Sequence, residues 1–431
     1  MGSDHRPIVM KIQTPQECRK DKKIVWKWKS ADWSSFKTFV DRRLKMLKPD
    51  EMDVTRMEQQ LRETIIKAAR KLVGKMAIDQ RQMAPMSEEA KQEAERRDQL
   101  ICERPEKVEE IEEATDNVRK LIAESRRSTW REELQKGQVA SKMWNTVKRM
   151  TRTKEQATNK SEALLHKGKV HVTPRAKAEA FAKHYSNVSY FPIPKQNRWA
   201  KKAVAKWKRQ QAGPITEAET DLSFEEVESA LRQMDGSKAA GLDDLHPRLL
   251  KNLPKRAIVF VKDLFNKSLA ESMVPQSWRK AKIVPLLKSG KPATELSSFR
   301  PVSLTSCLGK WMERTIERRL RFVLESNNKI SDWQASFRSG RGVEDQLLRL
   351  VQSIDDAYQQ KEKTTLVLFD FEKAFDKVWR DDLFWKLSQV GTPTKILSWL
   401  QAWMSNRLAC VEFEGRRSKM RLIEQGVPQG R

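Results

Sequence analysis

Apolar residues in the first half of the chain recur every three to four positions, which is the period of an amphipathic helix. One such pattern follows Asp32 and contains Phe36, Phe39, Val40, Leu44 and Leu47. A second pattern, within Met57–Lys75, places Leu61, Ile65, Ala68 and Leu72 on one face. Residues 88–138 are densely charged and predict a long surface helix or a helical hairpin, interrupted near Pro105, whose ring cannot continue a helix.

The pattern changes after Gly213 and Pro214, a dipeptide typical of a boundary. Short apolar runs then alternate with helical segments, and we predict strands at Lys282–Leu286 and Thr365–Asp370. Leu366–Phe369 is continuously apolar, as in a strand that is buried on both faces, and it ends in the carboxylate of Asp370. We expect an amphipathic helix directly after it.

These patterns predict an α+β protein that is predominantly helical. Residues 1–20 contain a loop and a short strand, residues 21–213 a charged helical region, and residues 214–431 the globular domain. Since 33% of the residues are charged and the mean hydropathy is −0.73, the chain is polar for a compact enzyme.

The net charge of +27 favours a polyanionic partner such as nucleic acid, because each neutralised phosphate releases counterions. A basic but non-catalytic surface explains the same charge. Around residues 145–209, basic residues are interleaved with tryptophans, including Trp199 and Trp207. These rings suit either base stacking or a helix core, and the sequence leaves both readings open.

The four cysteines, Cys18, Cys102, Cys307 and Cys410, are too far apart in sequence to predict a zinc site or disulfides. We find neither a secretion signal nor a run long enough to span a bilayer, so we expect an intracellular, reducing environment and no membrane partner.

From the residues alone, Asp370 is either a metal ligand or a carboxylate that meets a cation or solvent, because an unpaired buried charge is costly. Glu372 and Asp376 follow it closely. As an alternative to a role in a site, their carboxylates would cap the helix or neutralise Lys373 and Lys377 nearby.

Five segments, in order, resemble the reverse transcriptase of non-LTR (LINE-type, ingi/jockey-like) retrotransposons. They are SKAAGLDDLHPRLLK (237–251), WRKAKIVPLLKSGKPATELSSFRPVSL (278–304), WQASFRSGRGVEDQL (333–347), LVLFDFEKAFDKV (366–378) and GVPQG (426–430). The resemblance implies a helical connector followed by the fingers and a partial palm of a right-hand polymerase. The implied reaction is RNA-directed DNA synthesis with Mg²⁺, an RNA template, a DNA primer and deoxynucleoside triphosphates, in the nucleus.

Two further segments lie near the amino terminus. SDHRPIVMKI (3–12) is similar to the last strand of the endonuclease in these elements, which makes Asp4 and His5 relics of its hydrolytic site. WKWKSADWSSF (26–36) resembles the connector, whose helices in the family bind RNA or pack on the polymerase.

The resemblance also implies residue roles. Asp370 becomes the first catalytic, metal-binding carboxylate, completed by the backbone carbonyl of Phe371, and Phe375 becomes the steric gate that excludes a ribose 2′-hydroxyl. Arg300 would grip the triphosphate and Gln429 would lie near the nucleotide sugar. The nucleotide-binding set also includes Lys288, with Lys282 as the runner-up, and the template phosphates would meet Arg338 and Arg341.

The family's second aspartate motif would follow GVPQG, and Arg431 stands where a small residue is usual. We therefore expect a sequence truncated at both ends, with little polymerase activity alone. The alternatives are a retroelement-derived protein that binds RNA or DNA without catalysis, and a scaffold built from the charged helices. The oligomeric state is left open.

Overall fold

The computed structural model describes residues 23–78, 88–103, 108–135, 163–166, 168–190, 198–210 and 220–429. The helices are α1 (Trp33–Lys45), α2 (Val54–Leu72), α3 (Glu88–Glu103), α4 (Val108–Gln135), α5 (Pro174–Ser189), α6 (Arg198–Gln210), α7 (Phe224–Arg232), α8 (Pro247–Lys251), α9 (Lys255–Ala270), α10 (Gln276–Arg279), α11 (Cys307–Ser326), α12 (Val343–Gln359), α13 (Arg380–Gln389) and α14 (Thr394–Met404). The strands are β1 (Lys23–Trp26), β2 (Lys75–Ile78), β3 (Leu164–His166), β4 (Lys169–His171), β5 (Lys280–Leu287), β6 (Phe299–Leu304), β7 (Leu408–Phe413), β8 (Arg416–Arg417) and β9 (Arg421–Leu422). The α+β class and the helical majority are confirmed.

The chain divides into two compact units. One contains Met1–Lys27 and Lys75–Lys160, and the other contains Trp28–Gly74 and Ser161–Arg431. The second unit includes residues on both sides of the expected boundary at Gly213, because α5 and α6 pack with elements that come after it. The assignment of residues 1–20 and 21–213 to an endonuclease relic and a connector stays a prediction.

In the first unit, β1 pairs with β2 in an antiparallel ladder, from Lys23 opposite Ile78 to Trp26 opposite Lys75. α3 and α4 pack against each other. α3 ends at Glu103 and α4 begins at Val108, so the charged hairpin interrupted near Pro105 is confirmed. Surface ion pairs such as Arg119–Asp116, with 2.8 Å between nitrogen and oxygen, lie along it and add little stability.

In the second unit, α1 and α2 pack against α9. The side chains of Asp32 and Asp53 cap the two helices by accepting hydrogen bonds from the backbone amides of Ser35 and Arg56. The apolar positions predicted from the period are largely buried: Phe36, Val40, Leu44, Leu61, Ile65 and Ala68. Tertiary packing of these faces, rather than helix propensity, holds the pair in place.

A mixed sheet lies at the centre of this unit, with the order β6–β5–β7–β8 and β9 paired to β7. β5 is antiparallel to β6 and parallel to β7. It contains the predicted strand Lys282–Leu286, which is thereby confirmed. α5 covers this sheet, where Phe181 meets Phe299 with 4.9 Å between ring centroids.

A second core joins α9, α10 and α11 through the rings of Phe265, Trp278 and Trp311. The indole of Trp311 donates to the carbonyl of Val227 over 2.7 Å, which satisfies its buried N–H and ties α11 to α7. Cys307 and Cys410 are buried free thiols.

The predicted strand Thr365–Asp370 is wrong, as is the helix expected directly after it. Residues 362–371 form no regular element, and turns occupy residues 372–377 until α13 begins at Arg380. The apolar side chains of the run are exposed, Phe369 by 87%. The physical reason is that no strand of the described residues lies beside this segment, and a strand needs a ladder partner.

Within the residues that the structure describes, every helix is too short or too polar to traverse a lipid bilayer.

Candidate nucleotide and metal site

The β5–β6 hairpin positions the expected triphosphate-binding residues. Arg300 lies opposite Leu286 in the ladder, and its side chain is exposed. Lys288 follows β5, where its ammonium group donates to the carbonyl of Ser297 over 3.0 Å. Lys282, the runner-up, is half-buried and its ammonium lies 3.4 Å from a carboxylate oxygen of Glu412. Lys282 therefore already has a counter-charge within the sheet, whereas Arg300 presents an open guanidinium.

The loop that contains GVPQG crosses from this hairpin to the segment after Asp370. The amide of Ser303 on β6 donates to the carbonyl of Gln429 over 2.7 Å. Further back in the loop, the amide of Val427 donates to the carbonyl of Phe375, and that of Gly426 to the carbonyl of Val378, each over 2.8 Å. Backbone hydrogen bonds thus join β6, the strand of Arg300, to the loop of Gln429 and to the turn that contains Phe375.

Gly426 is required at this junction. Its φ is +78°, a conformation that favours glycine, and an added Cβ would lie 2.5 Å from the carbonyl oxygen of Asp376. The turn at residues 372–377 and the loop therefore approach each other closely at Gly426. Within the turn, the carbonyl of Phe375 accepts from the loop, and that of Lys373 accepts from the amide of Lys377.

Arg380 holds the same loop from the other side, and sequence reasoning missed it. Arg380 is 8% exposed, and its guanidinium donates to three backbone carbonyls, those of Met404 (2.7 Å), Gly426 (2.8 Å) and Gln425 (3.2 Å). Burial, and then the nearby cation of Arg407, lower the pKa of Arg380 to about 10. The sequence signal is only an arginine at the start of a helix, where a basic residue is unexpected.

Beneath the loop lies a cavity of about 50 Å³, whose lining includes Tyr185, Asp376, Ser303 and Gln429. The Tyr185 hydroxyl, from α5, is buried without a hydrogen-bond partner among the described residues. Burial raises its pKa, and the charge of Asp376 raises it further. Burial also raises the pKa of the Asp376 carboxyl, while Lys373 and Lys288 oppose that shift. A residue from before Gly213 thus belongs to this site.

Asp370 and Phe371 do not line this cavity, and both are exposed. Glu372 lies 3.3 Å from the ammonium of Lys373 and 4.0 Å from that of Lys377, which agrees with the neutralising role considered for it. Among the described residues, no group of three or more acidic, histidine or cysteine side chains is arranged so that it could hold a metal ion. The carboxylate of Asp370 and the carbonyl of Phe371 therefore fit only part of the octahedral oxygen shell of Mg²⁺.

Arg338 and Arg341 both have partners within the protein. The Arg338 guanidinium donates to both carboxylate oxygens of Glu325, over 3.0 and 2.5 Å, and lowers the pKa of that carboxyl. Arg341 donates to the Asp332 carboxylate over 2.9 Å. Both arginines brace the turn before α12, and their role toward template phosphates stays a prediction. Asp4 and His5 lie outside the described residues.

Comparison with known proteins matches residues 287–431 to the family "Reverse transcriptase (RNA-dependent DNA polymerase)". The chain is 34% identical over 209 residues to the RNA-directed DNA polymerase from mobile element jockey of Drosophila melanogaster, covering 48% of this chain and 23% of that protein. It is 30% identical over 299 residues to the jockey polymerase of Drosophila funebris (68% and 31%). It is 33% identical over 209 residues to the probable RNA-directed DNA polymerase from transposon BS of D. melanogaster (48% and 23%). The matched part thus spans about a quarter to a third of these relatives.

Proposed function

Because the chain carries the reverse transcriptase domain of a non-LTR retrotransposon, we propose that the site around the GVPQG loop binds a deoxynucleoside triphosphate for RNA-directed DNA synthesis. One observation carries the proposal: backbone hydrogen bonds link β6, the loop and the turn after Asp370. Arg300, Gln429 and Phe375 belong to the three segments so linked, which supports assigning them to one nucleotide site.

Each side chain then has a distinct task. The exposed guanidinium of Arg300 would bind triphosphate oxygens in a bidentate manner, and the ammonium of Lys288 would add a point charge. Gln429 would contact the sugar, and the ring of Phe375, which is 42% exposed, would occupy the space of a 2′-hydroxyl. Asp370 and the carbonyl of Phe371 would hold Mg²⁺, which supplies charge neutralisation and activation of the primer 3′-hydroxyl in this class of reaction.

The test is a titration of a labelled deoxynucleoside triphosphate in Mg²⁺. Replacing Arg300 by alanine removes a charge-assisted hydrogen-bonding group, so affinity should fall by about 10- to 100-fold. Arg300→Lys should restore only part of it, because an ammonium lacks the planar fork. Arg416→Ala is the matched control: it removes an exposed arginine from β8, whereas Arg300 lies on β6 at the far side of the same sheet. Equal affinity of Arg300→Ala and the unchanged chain would contradict the proposal.

A second candidate function, binding of RNA or DNA without catalysis, is favoured by the net charge of +27. It predicts binding to structured RNA with a slope of log affinity against log salt of roughly −3 or steeper. It also predicts that Arg300→Ala leaves this slope nearly unchanged, since one exposed charge contributes less than one unit. We also propose nuclear localisation, which imaging of the tagged chain would test.

A further inference from the structure

Helix α6 has two chemically different faces. Ala200, Val204 and Trp207 are buried, and the last two join an apolar cluster that contains Phe384 of α13 and Met404 of α14. This packing fixes the helix on the second unit. The same helix contains six basic residues and no acidic one: Arg198, Lys201, Lys202, Lys206, Lys208 and Arg209.

Four of these cations form one stripe. At about 100° per residue, Arg198, Lys202, Lys206 and Arg209 lie within about 80° of one another on the face opposite the buried residues. All four are exposed, and no carboxylate of the described residues is paired with any of them. Lys208, at the edge of the face, instead meets Asp381 of α13, with 2.9 Å between nitrogen and oxygen. Within the described part of the chain, the stripe thus has four like charges and no counter-charge.

Helix α1 shows that this arrangement is not a general property of the basic helices here. It also has four exposed basic residues, Lys37, Arg42, Arg43 and Lys45, but they are spread over about 240° of its surface. An accumulation of like charge on one face raises the local positive potential, whereas scattered charges are screened separately.

The buried face of α6 is anchored beside the candidate site. Val427 of the GVPQG loop packs against the cluster that anchors Val204 and Trp207. The loop bonded to Phe375 and the buried face of α6 therefore share one core.

We propose that this stripe of α6 binds the sugar–phosphate backbone of the nucleic acid on which the reverse transcriptase domain acts. The partner class rests on the proposed function, whereas the surface rests on the charge geometry of α6. Arg209 lies eleven positions after Arg198, so the stripe is about 16 Å long at about 1.5 Å per residue. Long, flexible side chains along that length reach several successive phosphates.

The experiment compares two variants of the full chain that lose equal charge. One replaces Arg198, Lys202, Lys206 and Arg209 by glutamine, and the other does the same to the four basic residues of α1. Glutamine keeps the helix propensity of lysine and arginine, so neither helix is disfavoured. Binding to an RNA hairpin, to single-stranded RNA and to duplex DNA is measured across a salt series, and thermal melting verifies folding.

The α6 variant should lose about three units of log–log slope, since each phosphate contact contributes about 0.7 for a single strand and 0.9 for duplex DNA. The α1 variant should lose less than one unit. A loss of slope for only one of the three nucleic acids supports the proposal and shows which of them supplies the phosphates. Equal losses in the two variants, or an unchanged slope in the α6 variant, would overturn it.

A milder variant guards against misfolding. Lys202→Gln with Lys206→Gln leaves two stripe charges and should lose about half as much slope. Because this readout needs neither a nucleotide nor primer extension, failure of the triphosphate site and failure of the stripe are distinguishable.

Discussion

Replacing Arg380 by methionine removes the guanidinium that clamps the GVPQG loop but keeps a long aliphatic side chain in its place. The clamp consists of three hydrogen bonds, to the carbonyls of Met404, Gln425 and Gly426. Methionine fills much of the same volume and donates none of them. The perturbation therefore tests the hydrogen bonds and the charge rather than the packing.

The loss of stability expected for Arg380→Met follows from two opposing contributions. Three hydrogen bonds from a charged donor stabilise the folded state by roughly 6 kcal/mol. Holding the cation in a buried place costs about 3 kcal/mol, the equivalent of lowering its pKa from 12.5 to about 10. We therefore expect a net loss of about 3 kcal/mol. Arg380→Lys should lose less, because an ammonium can still donate to one or two of the carbonyls.

The loss should be local, and amide hydrogen exchange is the assay that resolves it. The amides of Gly426 and Val427 are protected by their bonds to Val378 and Phe375. A loss of 3 kcal/mol in the opening free energy corresponds to about 100-fold faster exchange of these two amides. Affinity for a deoxynucleoside triphosphate should fall with it, because the loop contains Gln429.

The control is Arg319→Met on α11. That guanidinium is also tied several times, to the Glu226 carboxylate and to the carbonyls of Thr220 and Asp221. Arg319→Met should lower global stability. The amides of Gly426 and Val427 should then exchange no faster than this global loss requires. Unchanged exchange of these amides in Arg380→Met, or acceleration equal to that of every other segment, would refute the clamp.

Two further predictions concern selectivity and pH. Phe375→Val should narrow the preference for deoxynucleotides over ribonucleotides, measured as a ratio of dissociation constants; an unchanged ratio would exclude the ring as a steric gate. Burial raises the pKa of the Glu58 carboxyl, despite Arg62 beside it, so ionised Glu58 costs stability as pH rises from about 4.5 through its folded pKa. The Glu58→Gln side chain cannot ionise. Denaturant unfolding should therefore show that the free energy of unfolding of this variant, minus that of the unchanged chain, increases from pH 4.5 to pH 8. A difference that stays constant over this range would contradict the raised pKa of Glu58.

The sequence predicted those parts of the fold that local patterns specify. The helical period around Phe36 and Leu61 is enough to predict α1 and α2, because one apolar face and an aspartate cap define each helix. The β5 segment succeeded for a similar reason, since it is a short apolar run with a hairpin partner close in sequence. Neither case depended on a distant part of the chain.

The remaining features depend on distant contacts that no single pattern reveals. Tyr185 reaches the candidate site because α5 crosses the sheet, about a hundred residues before β5 begins in sequence. Arg380 looks like an ordinary surface arginine until the loop around Gly426 folds over it. For the same reason, the roles of Arg300 and Gln429 stay predictions, and the packing of α5 and α6 with elements that follow Gly213 could not be read from the local patterns of these helices.

Two expected features, the strand at residues 365–370 and the metal site at Asp370, require the same thing. Both need a second strand beside this segment, and the described residues do not provide one. Such a strand would bond to the free amides and carbonyls, cover the exposed Leu366–Phe369 side chains, and bring oxygen ligands beside Asp370. Without it, the described residues supply one carboxylate and one carbonyl, and we expect Mg²⁺ affinity only on the order of millimolar.

We therefore predict that the strand and the metal site form together. A longer polypeptide that adds the family's aspartate-pair segment should protect the amides of residues 366–370 from exchange, bind Mg²⁺ more tightly and extend a primer. Asp370→Ala in that polypeptide should abolish extension and the added Mg²⁺ affinity but leave the amide protection, because the ladder needs no carboxylate. Extension that survives Asp370→Ala would remove this residue from the metal site. Extension by the 431-residue chain alone, dependent on Mg²⁺ and on Asp370, would show that no second strand is required.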